Sequence, residues 1–577
     1  MSQGLLCIPA LLPIAGGMIL LLAAHFGPVS AGQKRQGKSS GKEFGAGKKA
    51  LGWRLNLYVE GLTVLNSLVL LWLIVHSGEN QPFILFRLYG GLTVMFKLDR
   101  MGRVFAGLIA FLWPLAVLYS FEYMKGEARR ATFFAYYLMT YGVTAGIAMA
   151  GSMITLYLFY ELLTLVTFPL VLYPMTREAV RASRKYLYYS IGGAAFAFVG
   201  LVFILGFSAS GTTEFMPGGM LDTAAAGARR NALLTAYVLA FFGFGVKAAL
   251  FPCHGWLPKA TVAPTPVTAL LHAVAVVKSG AFAIMRLTYF SFGASFLRGS
   301  WAQWVVLTAA MVTIVYGSTM AVKEVHWKRR LAYSTISNLS YILMGAAMMS
   351  PLGLAAALSH MVVHALMKIC SFFCAGAVMH QTGKTHIYEL DGLAAKMPLT
   401  FVCLTVASLS LTGIPLFGGF ISKWNLARAG FSLGLGSLES VGSALGNSGF
   451  GNGGSGSVQW LGFAAVAVLL YSALMTAVYM LTVLVRAYFP KLTGLAGAVR
   501  PVAGAGSPAG VHSASGSGST SRNVHTVNGS GSLSDYRDPN GLMLVPLVIF
   551  SVLILFLGIH SQPLMTFLTG IGGEAGW

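Results

Sequence analysis

Residues 246–282 read VKAALFPCHGWLPKATVAPTPVTALLHAVAVVKSGAF. The Ala, Val, Leu and Phe runs have the character of membrane helix, yet Lys247 and Lys278 stand inside them. Pro252, Pro258, Pro264 and Pro266 interrupt the stretch, because proline removes a backbone donor and clashes with the preceding helical turn. What two ammonium groups do beside a broken helix depends on the solvent around the chain.

The composition identifies that solvent. Of the 577 residues 56% are hydrophobic and only 10% are charged, against roughly 25% charged in soluble domains; the mean hydropathy is +0.71. Scanning for apolar runs of about 20 residues gives about fourteen spans. They cover residues 4–26, 55–76, 101–119, 132–150, 152–173, 186–208, 233–253, 264–288, 302–322, 332–350, 354–379, 398–424, 459–485 and 541–561. The fold expected is an all-α polytopic membrane protein. The first run lacks a basic leader and a clear small-residue cleavage site, so it reads as a retained anchor.

The net charge of +22 is a statement about topology. Basic residues collect in alternate loops, among them Lys34 to Arg54, Lys125 to Arg130, Arg177 to Lys185, Lys323 to Arg330, Lys384 with Lys396, and Arg486 to Arg537. The positive-inside rule makes those loops cytoplasmic and puts both termini on the other side. A nucleic-acid partner is not expected. Cys7, Cys253, Cys370, Cys374 and Cys403 lie in or beside apolar spans without a CxxC pair and read as packing residues; no metal or iron–sulfur site and no cofactor is expected.

Two Gly/Ser-rich segments, residues 430–458 and 493–540, cannot bury a core and read as flexible loops. The chain then divides into N-terminal helices with a basic loop (1–131), a five-helix block (132–288), a second five-helix block (302–485), a low-complexity cytoplasmic loop (486–540) and a last span (541–577). Five is odd, so two such blocks in tandem lie inverted in the membrane. Broken helices in matching halves point to a transport site.

Intramembrane charges are functional by default, since one at the bilayer centre costs at least about 2.5 to 3.5 kcal/mol. Glu161 falls midway along MITLYLFYELLTLVTFPLVLY. A Glu161–Lys247 pair alone could fix helix registry, but Lys278 would keep no partner unless it snorkels to the interface. A buried lysine near a movable carboxylate switches between charged and neutral forms, which makes these lysines candidate proton relays. In AALSHMVVHALMKICSFF, His360, His364 and Lys368 recur every four residues on one helical stripe. LTGIPLFGGFISKW breaks a helix at Gly413, Pro415, Gly418 and Gly419 just before Lys423. Backbone freed at membrane depth is tolerated where it lines a wet cavity. His254 and His272 flank the first break; His254 either hands protons between Lys247 and Lys278 or hydrogen-bonds freed carbonyls.

These segments, with KRRLAYSTISNLSYILMG, resemble one family: the antiporter-like, proton-conducting subunits of respiratory complex I, Mrp-type cation/proton antiporters and membrane-bound hydrogenases. The resemblance covers roughly residues 98–490. It implies fourteen helices with two inverted five-helix repeats and no redox cofactor. It also implies that Glu161 tunes Lys247, that Lys278 bridges, that His364 and Lys368 form the central connection, and that Lys423 is the terminal lysine near the outer exit. Lys259 in WLPKA departs from the family's usual acid, and the Gly/Ser-rich segments look like extra material. With no room for a long lateral helix after the last span, the chain resembles the shorter members, such as the Mrp D-like subunit. The expectation is a proton-translocating subunit of a multisubunit complex, without a catalytic site of its own, or else part of a proton-translocating oxidoreductase. Its partners would be other integral membrane subunits, lipid and protons, with sodium left open, in a bacterial inner membrane. A stand-alone transporter of a small solute is the rival, favoured if the breaks enclose a pocket of that size. A scaffold with vestigial charges is the third reading.

Overall fold

The computed structural model describes residues 3–26, 43–78, 82–88, 92–209, 211, 213–222, 227, 229–435, 455–489 and 536–574. Most of the Gly/Ser-rich segments read as flexible loops, and the basic residues 34–42, lie outside the described residues. Three helices come first: α1 (Ile8–Phe26), α2 (Glu43–His76) and α3 (Arg100–Tyr123). The next block is α4 (Arg130–Ala148), α5 (Met153–Leu172), α6 (Arg177–Phe207), α7 (Arg230–Gly245) and a two-part helix, α8 (Thr265–Ala273) with α9 (Val276–Arg286). The second block is α10 (Trp301–Lys323), α11 (Trp327–Ala347), α12 (Pro351–Thr382), a broken pair α13 (Pro398–Thr412) with α14 (Gly418–Leu435), and α15 (Ser455–Tyr488). Helices α16 (Gly541–Ile559) and α17 (Gln562–Glu574) follow. The protein is a predominantly helical, multi-pass membrane protein.

A helix stands at each expected span. Ten of the described helical stretches are long and apolar enough to cross a membrane; α4, α7, α11 and the α13/α14 pair hold the remaining positions. Hydroxyl caps start several of them: Ser152, Thr176, Ser300 and Ser350 each accept a backbone N–H from the first turn of α5, α6, α10 and α12, satisfying a donor that the helix leaves open. Two features were not anticipated. One is an antiparallel hairpin of β1 (Phe83–Arg87) and β2 (Thr93–Phe96); the other is α17.

The loops sort onto two faces. On one, the Val325–Trp327 segment bonds to Thr385 and Ile387, Gly392 N–H donates to Arg486 O, and Lys328 Nζ donates to Ala263 O. These loops carry the basic residues. On the other, Gly151 N–H meets Met95 O, Met216 N–H meets Phe290 O, Arg298 bonds Met349 O, and Arg100 pairs with Glu574. The described ends of the chain lie on this second face, since Gly4 approaches Phe83 of the hairpin. The described contacts thus sort these loops onto two faces, with Arg100 and Arg298 on the second.

Candidate functional site

The first break begins earlier than the prolines suggest. Helix α7 ends at Gly245, and Lys247 lies in the turn that follows, not inside a helix. Ala249 has φ +56°, a left-handed conformation that L side chains rarely adopt. Gly280 on α9 presses against this turn: a Cβ there would stand 2.6 Å from Ala248 N. The chain from Cys253 to Val262 then forms two short 3-10 turns before α8.

Lys247 is 1% exposed and its Nζ stands 3.8 Å from Glu161 Oε1. Nζ donates to the carbonyl of Tyr160 and lies 3.4 Å from the Tyr160 ring centroid, a favourable seat for a cation. Glu161 Oε1 itself is buried and accepts no hydrogen bond from a described residue. The pair is thus an ion contact about 1 Å longer than a hydrogen bond.

A second cluster gathers the rest. Lys278 on α9 is fully buried, and its Nζ hydrogen-bonds His364 Nδ1 on α12. One of these two nitrogens must accept, so the pair cannot carry two positive charges. The His364 ring stacks on His360 with centroids 5.6 Å apart. His360 Nδ1 contacts Ser422 Oγ at 2.9 Å, and its ring meets Tyr341 at 5.2 Å. Lys423, next to Ser422, donates to Leu411 O at 2.6 Å and Thr412 O at 3.0 Å. Those carbonyls are the open C-terminal end of α13, which stops at Gly413 with φ +91°. Helix C-termini present unpaired carbonyls and negative partial charge, so the break builds the seat for Lys423.

Lys368 takes a different direction. Its Nζ donates to Ser334 Oγ at 2.6 Å and to Leu331 O at 3.3 Å, both on α11. His272 is buried against Phe372 at 4.8 Å, and neither ring nitrogen bonds a described residue. His254 lies between Phe251 and Tyr316, with centroids at 5.5 and 4.5 Å, and bonds no freed carbonyl through Nδ1. Lys259 is exposed in the second 3-10 turn. The structure therefore joins Glu161 with Lys247, and Lys278 with His364, His360 and Ser422, with Lys423 beside them across the Tyr341 ring. Lys368 branches off, and His254 and His272 stand outside the contacts.

Sequence reasoning missed Tyr160, Ser334, Tyr341, Ser422 and Tyr479. The signal for the α11 residues was present: Ser334, Thr335, Ser337, Asn338, Ser340 and Tyr341 crowd one span and are all buried. It also missed a buried ion pair on the second face. Asp99 caps α3 through Gly102 N–H and takes both guanidinium ends of Arg286, which is ringed by Phe215, Phe282 and Phe290 at 4.9 to 5.1 Å.

The transmembrane family model of NADH:quinone oxidoreductase and Mrp antiporter matches residues 150–446, over half of the chain. The chain belongs to that family. Among its relatives, NADH-quinone oxidoreductase subunit N of Desulforudis audaxviator is 33% identical over 392 residues, covering 67% of this chain and 71% of the relative. A probable K(+)/H(+) antiporter subunit of Rhizobium meliloti is 36% identical over 338 residues, which is 58% of this chain and 32% of that protein. The chain thus spans about a third of that relative's length. The A1 subunit of a Na(+)/H(+) antiporter of Staphylococcus aureus is 32% identical over 365 residues, 61% of this chain and 44% of the relative. Two solved structures share the fold: a chain of the Mrp complex from a Dietzia species, with TM-score 0.73 and 21% identity, and one of the membrane-bound sulfane sulfur reductase, an archaeal respiratory membrane complex, with TM-score 0.72 and 23% identity. Each alignment covers 100% of this chain and 98% of the other. The expected helical membrane fold and the family both hold for this member of the NADH:quinone oxidoreductase/Mrp antiporter family.

Proposed function

We propose that this family member is a proton-translocating membrane subunit of a multisubunit complex in a bacterial plasma membrane. Protons pass between two stations. At the first, Glu161 holds the Lys247 ammonium, and closing or opening their 3.8 Å contact sets whether Lys247 keeps its proton. At the second, Lys278 exchanges with His364 through their hydrogen bond, His364 passes to His360 along the stacked stripe, and Ser422 links His360 to the neighbourhood of Lys423. Lys368 lies on a branch, and His254 and His272 are accessory. Water carries the proton between Lys247 and Lys278, the packed turn at Ala248 and Gly280 keeping the two stations adjacent.

The observation that carries this reading is the buried series Lys278, His364, His360 and Ser422, joined by two hydrogen bonds and one ring stack and flanked by Lys423, in which no described carboxylate neutralises a lysine. A row of buried bases in hydrogen-bond and ring-stacking contact suits proton exchange. Tight backbone approach at Gly280 and Gly419 weighs against a solute pocket at the breaks. The basic face would be cytoplasmic. Because relatives named as antiporter and quinone oxidoreductase subunits differ in what drives them, the driving force comes from a neighbouring protein of the complex, either a redox module or a cation-conducting membrane protein.

The test is Lys247→Ala in the assembled complex, with proton movement followed in inverted membrane vesicles. Loss of most proton movement with intact assembly is expected. Normal pumping would leave the chain a scaffold, and uptake of a solute by the purified chain alone would favour the transporter rival.

A further inference from the structure

Lys368 is held by a chain of hydroxyls that the proposed route does not use. Lysine nitrogen can only donate when protonated, so Lys368 donates to Ser334 Oγ at 2.6 Å. Ser334 then has its own hydrogen for Tyr479 Oη, 2.6 Å away on α15. Tyr479 donates to Thr476 Oγ1 at 3.1 Å, and Thr476 donates to the Ser472 carbonyl at 2.7 Å. A donor-only group stands at one end and an acceptor-only carbonyl at the other, so every hydroxyl points away from Lys368. Hydrogen bonds aligned in one sense reinforce one another in a low-dielectric interior. The anchor is rigid: Arg330 Nη1 donates to Tyr479 O at 2.8 Å while its other nitrogens bind Glu324 O and Val322 O. Ser334, Thr476 and Tyr479 are completely buried.

We propose that Ser334 and Tyr479 are positioning residues that hold the Lys368 amine on α11 and turn it from His364, making Lys368 a reserve beside the proton path and not a link in it. The proposal rests on the proton-transfer reading of the site. Two N–H groups of the ammonium are committed to α11, leaving one to reach His364 when that ring is an acceptor. The titratable groups around Lys368 are Lys278 from α9, His272 from α8, His364 on its own helix and Lys423 from α14. Like charges on Lys368 and on these neighbours repel one another. Releasing the clamp therefore changes the timing of the whole second station.

The experiment is a double-mutant cycle in the assembled complex. Tyr479→Phe keeps the ring and removes the hydroxyl; loss of one hydrogen bond in a chain to a charged group should slow proton movement about 3- to 10-fold and displace the pH–rate profile. In a Lys368→Met background the same change should have no further effect, and Ser334→Thr, which keeps the hydroxyl, should behave as the parent. If Tyr479→Phe fails to assemble, Ser334→Ala replaces it in the cycle. An unchanged rate and pH profile in the clamp variant, or effects that add in the double mutant, would overturn the proposal. Lys247→Ala, run in parallel, reports on the proton-transfer reading separately.

Discussion

Glu161→Gln removes one charge of the Lys247 pair while preserving the shape of the side chain. Two unit charges 3.8 Å apart attract by about 4 kcal/mol at an effective dielectric near 20. The carboxylate side chain is 29% exposed, and screening leaves about 2 to 3 kcal/mol holding the ammonium form. That corresponds to a factor of about 30 to 150 in the occupancy of the first station, and turnover should fall accordingly. Glu161→Asp withdraws the carboxylate by about one bond, weakens the attraction by about 1 kcal/mol, and should cost about fivefold. Proton movement in inverted vesicles, normalised to complex resolved on native gels, gives the ranking parent, Asp, Gln. A Gln variant within twofold of the parent at equal assembly would refute the assignment of Glu161 as the group that holds the proton at Lys247.

Removing His364 as His364→Leu takes away both the hydrogen bond to Lys278 and the stack on His360, so proton movement should drop about 100-fold in the same assay. Gly413→Ala places a Cβ at φ +91° and 3.0 Å from Lys423 Cδ; it should lower thermal stability by about 1 to 2 kcal/mol and displace Lys423, seen as a lower melting temperature together with slower turnover. Asp99→Asn leaves Arg286, 1% exposed, without its counter-charge and should destabilise by about 3 kcal/mol. Burial raises the Asp99 pKa, but the Arg286 guanidinium, the Gly102 N–H and Lys97 together outweigh it and hold the carboxyl below its ordinary value. Its contribution is complete above the unfolded carboxyl's range near 4 and fades as the pH falls through the folded value. Melting curves of the parent and Asp99→Asn in detergent should therefore differ near neutrality and converge in acid.

Span positions were legible because each helix had to be apolar to cross a bilayer, and the basic loops marked one face without reference to packing. The start of the first break was not legible. Residues Lys247 to Leu250 are good helix formers, and nothing in their order signals that Ala249 turns left-handed beneath the close approach of Gly280. The second break was legible to the residue, since Gly413 and Pro415 leave the backbone no helical continuation. The histidine stripe was half right. Each step of four residues overshoots a full turn by about 40°, so Lys368 lies about 80° around α12 from His360. That rotation is why His360 meets Ser422 on α14 and Lys368 meets Ser334 on α11. The clamp on Lys368 joins residues 145 apart in sequence, beyond the reach of spacing rules. The hairpin, by contrast, is legible in PFILFRLYGGLTVMF, two β-rich runs about a Gly-Gly pair.

The two stations differ in how they tolerate positive charge, and that difference has a mechanical consequence. Lys247 has a carboxylate at 3.8 Å; among the described residues Lys278, Lys368 and Lys423 have a histidine, a serine hydroxyl and backbone carbonyls as their hydrogen-bond partners. Dipoles of this kind stabilise one cation locally but do not cancel its field at the next site. Two charges about 6 Å apart repel by about 3 kcal/mol at a dielectric near 20, roughly a hundredfold, so neighbouring members of the second station disfavour being protonated together. On the proposed function, a proton arriving at Lys278 makes the protons at His364, His360 and Lys423 easier to release, and the line advances by repulsion without any large movement of helices. The first station lacks this property while Glu161 stays close, because the carboxylate cancels the charge. Opening the Glu161 contact would expose the Lys247 charge to Lys278 and start the displacement, which makes the mobility of one carboxylate the point at which a neighbouring protein of the complex gains control of the whole row.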